Sequence, residues 1–109
     1  VTDAHRSQLR VAPLPGQRGL RVIGEVDLGT RDLWRSALES ATRNGAPGRL
    51  DLSQLSFIDV RGTAMLVTAA RHCPAPLTLV RPPAVLRRML SLLYPAEPVT
   101  IVIEELEAS

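Results

Sequence analysis

The sequence predicts an α/β domain built on a mixed, largely parallel β-sheet, with its helices mainly on one face. Three observations lead there. Two short apolar runs near the start, around Leu9–Val11 and Leu20–Val26, flank the turn signal Pro15-Gly16 and read as a β-hairpin. From Thr30 onward, segments with apolar residues at three- and four-residue spacing alternate with further short apolar runs. Helices placed between strands need crossover connections, and crossovers join parallel strands. The expected order is β-β-α-β-α-β-α-β.

Leu9 and Val11, with Leu14 at the margin, mark the first strand, which Pro13 and Pro15-Gly16 close. Leu20–Val26 is the second. Thr30 is a candidate N-cap for a first helix ending near Arg43, with Leu33, Trp34, Ala37, Leu38 and Ala41 inward and Arg31, Asp32, Arg35 and Glu39 outward. Asn44-Gly45 and Pro47-Gly48 end it. Arg49–Leu52 is expected as a short central strand. A second helix is expected from Val60 to His72, with Met65, Leu66, Ala69 and Ala70 inward and Arg71 and His72 suited to its C-terminal dipole. Leu77–Val80 is a fourth strand. Pro82-Pro83 opens a third helix whose stripe is Val85, Leu86, Met89, Leu90 and Leu93, and Tyr94-Pro95 stops it. Val99–Ile103 is a fifth strand, followed by a helical or frayed tail from Glu104 to Ala108. Leu66, Leu50, Leu38, Leu86 and Val22 are the expected core.

At 109 residues the chain has the length for one core and not two, so a single domain over residues 1–109 is expected. A hydrophobic content of 45% excludes a disordered chain, and 3% aromatics leaves the core to aliphatic side chains. All 13 basic residues are Arg, scattered along the chain with a net charge of +2, so no nucleic-acid patch is expected. One cysteine forms no internal disulfide, which fits a cytoplasmic protein. No apolar run is long enough for a membrane span. The chain opens at Val1 and not at Met, which leaves open both an artificially trimmed chain and a domain excised from a longer protein.

Catalysis is not expected. Glu25 and Asp27 lack a third partner at ligand spacing, His5 and His72 stand apart, and Cys73 has no neighbouring base, so neither a metal site nor a cofactor is implied. There is no nucleophile elbow, phosphate loop or dinucleotide fingerprint. A phosphoaspartate receiver is disfavoured by the opening hairpin.

The densest signal is Leu50-Asp51-Leu52-Ser53-Gln54-Leu55-Ser56-Phe57-Ile58-Asp59-Val60-Arg61-Gly62-Thr63. It reads as a short strand, a loop and the abrupt start of an amphipathic helix, with Asp59 as N-cap. Gly24-Glu25-Val26-Asp27 precedes the first helix. Together the two motifs resemble the STAS family (sulfate transporter and anti-sigma-factor antagonist domains), and the likeness covers nearly the whole chain. The resemblance implies the fold above and a partner-switching role: binding of a kinase-like anti-sigma factor, with release when a serine after the motif's Asp is phosphorylated. Here that serine is replaced by Val60, so phosphorylation at the usual position is not expected.

By the same resemblance the partner surface comprises Asp27, Asp59, Val60, Arg61 and Thr63. Arg61 can pair with Asp59 or Asp27, lie in water or meet an acidic partner. Thr63 can bond back to the Asp59 carbonyl and is a poor substitute phosphoacceptor. Ser53 suits a turn-stabilising role. The alternative is a sensory domain of a larger regulator that binds a nucleotide or other small ligand in a polar pocket near the same loops.

Overall fold

A computed structural model describes residues 8–16, 18–43, 48–96 and 101–105. In chain order they form β1 (Leu9–Pro13), β2 (Leu20–Val26), a 3-10 turn (Leu28–Thr30), α1 (Arg31–Thr42), β3 (Arg49–Ile58), α2 (Val60–Arg71), β4 (Leu77–Val80), α3 (Ala84–Leu93) and β5 (Ile101–Glu104). The sheet order is β1-β2-β3-β4-β5. β1 pairs antiparallel with β2, and every later neighbour is parallel. Each crossover therefore steps one strand in the same direction. Right-handed crossovers that all step one way place their helices on one face, and α2 packs between α1 and α3.

One core results. Val22, Leu50, Leu38, Leu66 and Leu86, all expected inside, are buried, and they join Val26, Trp34, Leu52, Leu55, Ile58, Leu77 and Leu79. The other face of the sheet carries the ion pairs Arg21–Asp51 and Arg49–Glu104.

The third strand corrects the sequence reading. It is not a four-residue strand followed by a loop, but runs on to Ile58. Its partner β2 has seven residues against the ten of β3, and the register shifts twice between them. β3 therefore holds its inward side chains at Leu50, Leu52, Leu55 and Ile58. The strand alternation of two is broken by bulges, which is why the pattern looked like a loop. Ser53 stabilises the first irregularity: its amide and hydroxyl both donate to Asp51 Oδ1, at 3.0 and 2.7 Å.

Burial alone would raise the Asp51 pKa, but the Ser53 hydroxyl and amide and the Arg21 guanidinium outweigh it and hold the carboxyl below its usual value. A group whose folded pKa is depressed contributes stability above its unfolded pKa and loses it as pH falls through the folded pKa. The stability gap between wild type and Asp51→Asn is expected to be constant near neutrality and to shrink below about pH 4. Denaturant melts across pH check this, and a gap that widens in acid would contradict it.

Three helix assignments also change. Leu33 is exposed because the buried stripe of α1 runs through Trp34, Ala37 and Leu38, about 100° around the helix from it. Leu93 is exposed because burial along α3 fades from Leu86 to the final turn. Thr30 occupies the N-cap position of α1 but its side chain makes no cap bond. Its hydroxyl instead donates to the Glu25 carbonyl at 2.7 Å and accepts from the Asp27 amide at 3.1 Å. Glu104 belongs to β5 and not to a tail. The turn at Asn44-Gly45-Pro47, His5, Val99 and the tail beyond 105 lie outside the described residues.

Candidate functional site

Parallel strands that end side by side deliver their following loops to one place, and in open α/β sheets that carboxyl edge is where ligands bind. β2 and β3 end together: Val26 pairs with Ile58, and the Asp59 amide donates to the Val26 carbonyl at 3.0 Å. Asp27 and Asp59 therefore leave the sheet as neighbours, and each caps the element that follows.

Asp59 Oδ1 accepts from the Gly62 amide at 2.7 Å, the N-cap bond expected from the sequence. Its other oxygen faces Arg31 Nη2 at 3.4 Å. Asp27 Oδ1 accepts from the Gly29 amide at 3.0 Å and caps the 3-10 turn. The carboxylates thus serve the backbone, and what they hold rigid is the pair of turns between them.

Gly62 sets the depth of α2. A Cβ there would lie 2.6 Å from Val26 Cγ1 and 3.0 Å from Ile58 Cγ1, so the helix rests on the strand ends only because no side chain intervenes. The Gly62 carbonyl accepts from Trp34 Nε1 at 3.0 Å, a buried bond that ties α1 to the first turn of α2.

The outward side is apolar. Leu28 is 76% exposed and Val60 60% exposed, each one residue beyond its aspartate, and Phe57, the penultimate residue of β3, is exposed too. Arg61, next to Val60, is exposed and has no ion-pair partner among the described residues; Asp59 pairs with Arg31 instead. Thr63 is the correction. It is fully buried, its hydroxyl donating to the Asp59 carbonyl at 3.0 Å with Met89 Sδ at 3.6 Å, so it does not line the surface. The helical back-bond itself is as expected.

Asp27, Asp59, Val60 and Arg61 are thus brought together at one edge, and Thr63 lies beneath them. Sequence reasoning missed Leu28, Phe57, Arg31 and Trp34. A bare leucine between Asp27 and Gly29, in a loop, was the available signal for the first. Among the described residues no cluster of His, Cys, Asp or Glu could hold a metal. No helix among them is long and apolar enough to cross a membrane. The arrangement offers a rigid apolar knob beside a cation, which suits recognition by a partner surface.

Comparison with known proteins agrees with this architecture. The family model described as Mlab, STAS domain matches residues 9–96, the span from the start of β1 to just past α3. No curated protein matches the chain.

Proposed function

The chain belongs to the STAS domain family, and on that premise we propose that it is an interaction module like the anti-sigma-factor antagonists. In this reading it acts in the bacterial cytoplasm, in transcription regulation, by binding a kinase-like anti-sigma factor, and it does no catalysis. The observation that carries the reading is Val60: an exposed apolar side chain at the first position of α2, where switching members of the family carry a phosphorylatable serine. A phosphate there would bring a charge of about −1.5 to −2 to the contact surface. Valine has no oxygen to modify, so binding is expected to be permanent as far as this position is concerned. With Thr63 buried, the nearest hydroxyl on α2 offers no substitute.

Val60→Asp tests the surface. A helix start tolerates a carboxylate, so the fold should survive. An unpaired charge in a desolvated contact costs about 1–3 kcal/mol, so the dissociation constant for a kinase-like anti-sigma factor should rise about tenfold or more by calorimetry. An unchanged constant for a folded variant places the contact elsewhere. Mass spectrometry after incubation with that kinase and ATP should find no phosphate on this helix.

A groove between α1 and α2 of about 430 Å³ supports the second reading, a sensory domain for a small ligand. Its floor includes Leu38 and Met65, and Arg61 and His72 stand at its rim. That lining is more apolar than the polar pocket expected from the sequence. A ligand-induced rise in melting temperature without any anti-sigma factor bound would favour this reading over the first.

A further inference from the structure

At the opposite end of the sheet, arginines from three elements line one pocket. Arg18 comes from the β1–β2 turn, Arg43 from the residue after α1 and Arg49 from the first position of β3, and the pocket, of about 230 Å³, is also lined by the hydroxyl-bearing Ser40. Gly19 makes the approach possible. Its φ is 120°, and a Cβ there would lie 2.6 Å from the Arg49 carbonyl oxygen, so only a residue without a side chain lets the turn lie against β3.

Among the described residues no carboxylate lines this pocket. Arg49 is neutralised by Glu104, whereas Arg18 and Arg43 have no ion-pair partner among the described residues. The C-terminal end of α1 opposes an anion here with about half an elementary charge, against two whole guanidinium charges in its favour. The volume is below the about 300–1,000 Å³ typical of sites for drug-sized ligands, so the pocket suits one compact group. The guanidinium groups of Arg18 and Arg43, with the Ser40 hydroxyl, offer more donors than the two oxygens of a carboxylate can take and match a phosphate with its three free oxygens.

We propose that this pocket binds a phosphate monoester group, carried by a soluble molecule or by a lipid whose headgroup ends in one. The site lies at the amino ends of β2 and β3, away from Asp27, Asp59 and Val60 at their carboxyl ends, and does not depend on the role assigned to those residues.

The test is an amide-resolved NMR titration with inorganic phosphate, against sodium chloride at matched ionic strength. Saturable shifts are expected at Gly19, Ser40 and Gly48 with phosphate alone. Arg18→Gln with Arg43→Gln should weaken binding at least about tenfold, because each removes charge-assisted hydrogen bonds, while Arg88→Gln on the exposed side of α3 should leave it unchanged. Neither pocket arginine supports the core, and circular dichroism melts verify that the double variant folds. O-phosphoserine in the same titration, and sedimentation with vesicles containing phosphatidic acid, a phosphomonoester lipid, against phosphatidylglycerol vesicles, a phosphodiester, separate the two sources: arginine-dependent binding of O-phosphoserine or of the phosphatidic acid vesicles supports the site and names its carrier. Absence of saturable shifts with phosphate, or a double variant that binds like wild type, overturns the proposal.

Discussion

Trp34→Ala is expected to cost about 3–5 kcal/mol, the range for truncating a large buried aromatic. Trp34 has no exposed surface. Its indole fills the space between α1 and the strand ends, and its N–H is bonded to the Gly62 carbonyl. The truncation removes packing and also the bond that joins α1 to the first turn of α2. Domains of this size are stable by only about 5–15 kcal/mol, so the loss approaches unfolding. Trp34→Phe keeps most of the apolar volume and gives up the bond, with a net hydrogen-bond contribution of about 0.5–1.5 kcal/mol. It should fall well short of the alanine variant in urea denaturation. Equal losses in the two variants would show that the bond, and not the packing, holds the helices together.

Leu66→Ala should cost about 2–5 kcal/mol. Leu66 is fully buried in the middle of α2, the helix that packs against both α1 and α3. A cavity there has walls from several elements and cannot be closed by one of them moving in. A loss under about 0.5 kcal/mol in chemical denaturation would mean that the site collapses freely, in conflict with the close packing of protein interiors. Neither variant touches Leu28, Val60 or Arg61 directly. Partner binding by the folded fraction should therefore change only as far as the start of α2 shifts, most in the Trp34 variants.

Much of the candidate site was legible because its logic is local. Asp59 capping Gly62, the Thr63 hydroxyl returning to the Asp59 carbonyl and the valine at the first helical position all lie within one helical turn. Spacing along the chain is enough to deduce such contacts. Thr63 shows the limit: sequence placed it one turn into the helix, but whether that turn faced water or Met89 depended on how α3 packs over α2. Leu28 and Arg31 were invisible as site residues for the same reason. Arg31 meets Asp59, and Leu28 leaves the sheet on the same edge as Val60, because β2 and β3 end side by side at Val26 and Ile58, residues far apart in the chain.

By itself the sequence determined the element order, the parallel pairing, the helix boundaries to within a residue or two and the identity of most of the core. Those follow from hydrophobic period, caps and turn residues, which act over a few positions. Tertiary structure alone decided that β3 continues to Ile58, because only the paired β2 shows where the extra residues bulge out. It alone exposed Leu33 and Leu93 and buried Thr63. It alone drew Arg18, Arg43 and Arg49, scattered along the chain, onto one pocket. Periodicity records which face of an element is apolar. It carries no record of how far that element extends past its neighbours or of which distant polar side chains meet at its ends, since those are set by strand register and by close approaches such as that of Gly19 to Arg49.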